Sequence, residues 1–258
     1  METINQLILY SAMFFLIFAR IIGAFIITPV FSSTFIPNQV KLFFVLILSL
    51  VMFNLQSEYV QFELNIYYIA LLIKELSIGF ALGFVVYLYL SVFNMAGEII
   101  DGQIGFSMVS FFDPMTNTND TITGTLYYTI ATLVLFLING HHWIIQAILE
   151  SFKMYKVGMT DLNPALYAQM LKLFIGTFAL AFKIASPIVA ALFIANVTLG
   201  FLAKTVPQMN VFVVGMPLKV AMGFAMFIIL TPLFIKATGH VFEELQVKMI
   251  ELLHYFGT

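Results

Sequence analysis

The sequence predicts an all-α, polytopic helical membrane protein with about six hydrophobic helices, several of them kinked. Three observations carry this. Of the 258 residues, 62% are hydrophobic and only 9% are charged, with a mean hydropathy of +1.03. A globule of this size has too little interior for that much apolar surface. The apolar residues also gather in runs of about 20 or more, the length that crosses a bilayer as a helix. Finally, stretches such as Phe43-Phe44-Val45-Leu46-Ile47-Leu48 do not alternate polar and apolar residues, as barrel strands would.

The expected spans cover 6–31, 36–55, 66–97, 122–149, 170–202 and 209–237, with short polar spacers such as Asp161-Leu162-Asn163-Pro164 between them. Met1-Glu2 puts no basic residue ahead of the first run, so that run is expected to stay in the mature protein and not to be cleaved. Pro29, Pro187, Pro217 and Pro232 fall within or near span ends, where each removes a helix hydrogen bond and invites a kink. The segment from Gly239 to Phe256 is different. Val241, Phe242, Leu245, Met249, Leu252, Leu253 and Phe256 recur at helical spacing opposite Glu243, Glu244, Lys248 and Glu251. This is an amphipathic helix, expected on the bilayer surface or against a partner.

The composition excludes several functions. A net charge of −2 with 11 Lys+Arg does not suit a nucleic-acid binder. With no Cys there are no disulfides, thiolate nucleophiles or iron–sulfur ligands. No phosphate-binding loop, dinucleotide fingerprint or nucleophile elbow is present, so the chain reads as no enzyme, with no cofactor and no metal. His141-His142-Trp143 reads as an interfacial anchor.

Charges inside apolar runs are expensive and draw attention. They are Arg20, Lys74, Glu75, Lys183 and Lys219, within or close to the apolar runs. They read either as coupling sites for a transported ion or as structural ion pairs and snorkelling side chains. Gly79 and Gly83 form a G-x-x-x-G, and Ala19 and Gly23 a second small pair, spacings that let two helices approach closely. The stretch from Gly97 to Pro114 holds three glycines, then Phe106, Ser107, Met108, Val109, Phe111 and Phe112, then Asp113-Pro114. A short apolar stretch between glycines suits a re-entrant or pore-lining loop, and its Phe and Met side chains suit a seal that gates by dewetting. The plainer reading is an apolar loop packed in the bundle.

Several blocks together resemble one family: Ala19-Arg20 with Pro29-Val30 and Pro37; Glu75 with Ile78-Gly79-Phe80-Ala81-Leu82-Gly83-Phe84; Gly97-Glu98-Ile99-Ile100-Asp101-Gly102-Gln103-Ile104-Gly105 running to Phe111-Phe112-Asp113-Pro114; Asn139-Gly140-His141; and Val206-Pro207-Gln208-Met209-Asn210 running to Gly215-Met216-Pro217-Leu218. The chain resembles the FliR/SctT family of type III secretion export-apparatus proteins in order and spacing over nearly its whole length.

The resemblance implies a non-enzymatic component of the flagellar protein export gate in the bacterial inner membrane, at the flagellar basal body. It implies FliP-type, FliQ-type and FlhB-type partners and unfolded export substrates in transit. It also implies a FliP-like part over 1–165, with a plug segment about 98–121, and a FliQ-like hairpin over 166–258 that ends in the amphipathic helix. The plug carried over is Gly105, Phe106, Ser107, Met108, Val109, Phe111, Phe112 and Asp113. The hairpin tip is Val206, Pro207, Gln208, Met209 and Asn210, facing the substrate entrance or a partner. Lysine counts across six full spans instead place both termini in the cytoplasm, a topology that conflicts with a cytoplasmic tip. The competing function is a stand-alone ion-coupled transporter or channel using Arg20, Lys74, Glu75 and Lys183.

Overall fold

The computed structural model describes residues 2–56, 65–106, 121–159, 163–208 and 210–256. Among them are eight helices: α1 (Glu2–Ile27), α2 (Pro29–Ser32), α3 (Asn38–Leu55), α4 (Ile66–Ile104), α5 (Ile122–Leu137), α6 (Gly140–Met154), α7 (Ala165–Thr205) and α8 (Val211–Leu253). Five are long and apolar enough to cross a membrane, or six if the bent pair α5 and α6 forms one span. The expected run over 122–149 is thus two helices. Between them Asn139 adopts a left-handed backbone at φ 59°, which ends one helix before the next begins.

The described chain divides into two compact units. The first comprises 1–88, 139–173 and 243–258. Its core is built on one stripe of α1, where Met13, Leu16, Ile17, Arg20, Ile21 and Ala24 recur at spacings of one, three and four residues and are all buried. Phe15 and Ile26, on the other side of α1, are exposed. The Tyr68 hydroxyl donates to the Ala12 carbonyl at 2.8 Å and ties the start of α4 to α1.

The end of α8 belongs to this first unit. Leu245, Met249, Leu252, Leu253 and Phe256 are all buried, and Phe256 meets Tyr155 edge-on. The apolar face expected on the bilayer or on a partner is therefore covered by this chain's own unit. Its polar side carries Glu251, which accepts from Lys248 at 2.6 Å and from Gln169 at 3.2 Å. The amphipathic stretch is also no separate helix, because Gly239 lies inside α8 with no proline to end it.

The second unit comprises 89–138 and 174–242. Phe93 is its centre, in contact with Phe234 and Phe242, while Tyr127 stacks on Phe234 at 4.0 Å between ring centroids. α7 and α8 run antiparallel here. The spot where a Cβ on Gly215 would sit lies 3.1 Å from Leu199, and Lys183 shares a small cavity with Ala237. Much of α8 is apolar yet exposed: Phe224, Ile228 and Ile229 are 57%, 77% and 68% accessible. Such contiguous apolar surface belongs against lipid or another protein.

Candidate functional site

Within the first unit, the α1 and α4 backbones come into contact. A Cβ added at Gly23 would lie 2.5 Å from the Leu76 carbonyl, and one at Gly83 the same distance from the Ala24 carbonyl. One at Gly79 would overlap the Arg20 carbonyl. The sequence pairs Gly79 with Gly83 and Ala19 with Gly23. The structure brings the three glycines to one helix crossing and places Ala19 beside it, on an apolar groove with Phe15 and Leu76.

The same crossing holds a buried ionic network. Arg20 and Glu75 are 0% and 1% accessible. Arg20 Nε donates to Glu75 Oε2 at 2.5 Å, and Nη1 donates to the Ser151 carbonyl at 2.9 Å and the Tyr155 carbonyl at 3.4 Å. The guanidinium lies 4.3 Å from the Phe152 ring centroid, a cation–π contact. Glu75 Oε1 accepts the Gly158 N–H at 2.8 Å, and Gly158 needs its missing side chain at φ +75°. One ion pair thus joins α1, α4, α6 and the turn after α6. Lys74 is only half-buried, and Lys183 belongs to the second unit. Of these four charges, the structure brings two together. The pair is buried and directly hydrogen-bonded, as a structural pair requires, although Arg20 Nη2 is buried without a hydrogen-bond partner among the described residues.

In the second unit, the residues flanking the Phe/Met segment are held at both ends. α4 continues to Ile104, so residues 98–104 are helix. Gly105 follows at φ +101°, and the Phe106 N–H donates back to the Asp101 carbonyl at 3.0 Å. This is a glycine-terminated helix end that satisfies a carbonyl otherwise left open. The Phe106 ring meets Phe224 edge-on at 6.3 Å. At the other end, the buried Asp101 carboxylate accepts the Thr123 N–H at 3.0 Å and the Thr123 hydroxyl. Thr123 lies in the first turn of α5, where Thr121 makes no side-chain cap, so a carboxylate from another helix caps α5. Gly97 and Gly124 make this possible, since a Cβ on Gly97 would strike the Gly124 backbone. Ser107, Met108, Val109, Phe111, Phe112 and Asp113 lie outside the described residues.

The sequence puts Glu98 and Asp101 on one helix face. In the structure Glu98 is exposed and Asp101 is buried. Sequence reasoning missed the capping role of Asp101, because its partner is 22 residues away and nothing local signals it. At the hairpin tip, Val206, Pro207 and Gln208 are exposed, and Met209 lies outside the described residues. The Asn210 carbonyl accepts the Val213 N–H at 3.1 Å and so begins α8.

Comparison with known proteins decides the family. Residues 11–245 match the family model described as bacterial export proteins, family 1. The chain belongs to bacterial export proteins, family 1. Similar members include the flagellar biosynthetic protein FliR of Bacillus subtilis (strain 168), 32% identical over 98% of this chain and 99% of that one. The flagellar biosynthetic protein FliR of Escherichia coli (strain K12) is 27% identical over 97% and 96%. The Yop proteins translocation protein T of Yersinia pestis is 26% identical over 83% and 84%. For this family 1 export protein, the glycine crossing, the ion pair and the capped ends of the Phe/Met segment all fall inside the matched residues.

Proposed function

We propose that this chain is a non-enzymatic structural and gating component of the flagellar type III protein export gate. The observation that carries this reading is the match to flagellar biosynthetic proteins from end to end, with one translocation protein of a second secretion system beside them. In this reading residues 1–165 act as a FliP-like part and 166–258 as a FliQ-like hairpin. The chain joins FliP-type and FliQ-type subunits and closes their helical assembly at its seam, as a non-closing repeat requires of its last member. An FlhB-type protein sits at the entrance, beside the tip formed by Val206, Pro207, Gln208, Met209 and Asn210. The assembly stands in the bacterial inner membrane at the flagellar basal body, and unfolded substrates pass through its lumen.

Gly105 to Asp113 is the plug in this reading, with Phe106, Met108, Phe111 and Phe112 as sealing side chains. The anchoring of Gly105 and Phe106 and the Asp101 cap on α5 support it, because a seal must be held at its ends to reclose in register. The buried pairing of Arg20 with Glu75 argues against a stand-alone ion-coupled transporter, whose coupling groups must exchange with an ion.

Planar-bilayer recording tests the seal. Replacing Phe111 and Phe112 by Gly is expected to raise small-ion conductance of the assembled complex while complex yield is unchanged. Unchanged conductance at normal yield removes the plug role from these residues.

A further inference from the structure

The second unit carries an exposed polar face that the plug does not account for. In its stretch of α4 the exposed residues are Asn94, Glu98 and Gly102, on one side of the helix. Earlier in the same helix, in the first unit, the exposed residues include Ile66, Ile69, Ile73, Leu76 and Phe80. On α5, Thr125 and Thr129 are exposed and Thr132 is half-buried, again along one side. The two helices run antiparallel. Asp101 bonds Thr123, Gly97 abuts Gly124, and Phe93 and Tyr127 share Phe234. Glu98 follows the contact residue Gly97, and Thr125 follows Gly124. In facing antiparallel helices, the residue after each contact residue turns to the same side of the pair. The two rows therefore form one face.

We propose, building on the export reading, that this face is the wall of the water-filled path beside the plug, and that its occupant is the extended polypeptide in transit. Lipid does not suit it. The side chains of Asn94 and Glu98 make no hydrogen bond or ion pair among the described residues, and a carboxylate turned to hydrocarbon is expensive. Open water all round does not suit α5 either. Leu133 and Leu137, on another side of it, are 59% and 80% accessible, and such apolar surface belongs against lipid or protein. A pore wall has that division, wet on one side and apolar on the other. The face is also continuous with the plug. α4 turns at Gly105 directly into Phe106, and the Asp101 carboxylate fixes the start of α5. The chemistry fits an unfolded chain. The hydroxyls of Thr125, Thr129 and Thr132 donate to carbonyls of their own helix at 2.8, 2.7 and 2.8 Å. Outward they offer oxygen lone pairs, which accept the free backbone N–H groups of an extended polypeptide. Each such bond adds little over the one water would make, so the passing chain is wetted and not held. Glu98 gives the face a negative charge that favours cations near it.

The absence of Cys lets single cysteines report without background. The full complex in nanodiscs is open to water at both ends. There a cationic and an anionic methanethiosulfonate are both expected to modify Thr125→Cys, with the cationic one favoured severalfold beyond its preference for a free thiol. Adding Glu98→Gln is expected to remove most of that preference. Leu133→Cys is expected to react severalfold more slowly than Thr125→Cys with either reagent. No reaction at Thr125→Cys overturns the proposal and assigns the face to lipid or a protein partner. A preference untouched by Glu98→Gln shows that the two rows do not share a face, and overturns it as well. A second arm brings in the substrate. An export substrate stalled by a tightly folded fusion, and carrying one cysteine, is expected to be joined by a bismaleimide to Asn94→Cys and Thr125→Cys and not to Leu133→Cys. Crosslinks at Phe106→Cys alone overturn the wall and leave the gate standing. Crosslinks at none of these positions, with export continuing in cells that lack this chain, overturn the export reading itself.

Discussion

Replacing Gly79 by Leu is expected to unfold the α1–α4 crossing and remove the chain from its complex. Any side chain at this position meets the Arg20 carbonyl, which is backbone and cannot rotate away. Overpacking commonly costs about 1–3 kcal/mol, and a clash with backbone belongs at the upper end. The expected readout is a lower thermal midpoint of the detergent-solubilised chain and loss of complex. Gly102 provides the control on the same helix, because no described residue places an atom within 4 Å of a Cβ added there. Gly102→Ala is expected to be neutral or to stabilise by up to about 1 kcal/mol through helix propensity. Equal behaviour of the two variants would show that the close approach at Gly79 does not govern stability.

The second large effect concerns Glu75. Glu75→Gln leaves the buried Arg20 charge without its counter-ion, a kind of loss that costs about 3–5 kcal/mol. Arg20→Met alone strands the carboxylate and is expected to cost a similar amount. The double variant is expected to be less destabilised than the sum of the two, with a coupling energy of about 1–3 kcal/mol. It stays below the unaltered chain, because Met supplies no donor to the Ser151 and Tyr155 carbonyls and no cation to the Phe152 ring. Urea or thermal unfolding of the four proteins measures the cycle. Additive effects would deny the pairing. Normal stability of Glu75→Gln with altered ion flux would return the residue to an ion-coupling role.

The helical class was legible because length and unbroken apolarity leave few other structures for a backbone in lipid. The close approach at Gly79 and Gly83 was legible for a related reason: glycine spacing is a local signal with a steric meaning. The Arg20–Glu75 pair was half legible. The cost of a buried charge marks both residues, but the 55 positions between them carry no pairing information. The Asp101 cap on α5 was not legible, because a carboxylate that caps another helix looks like any acid on its own helix. The C-terminal amphipathic face was read correctly as a face. What covers it was not, because periodicity shows that a stripe needs burial and says nothing of whether lipid, a partner or the chain's own core supplies it.

The central claim is that this chain works as one subunit of a mixed export assembly. Native mass spectrometry of the chain, tagged at its natural expression level and extracted in mild detergent, tests this most directly. The account predicts one large particle holding a single copy of this chain with FliP-type and FliQ-type subunits. A monomer or simple homodimer that retains its fold would contradict it.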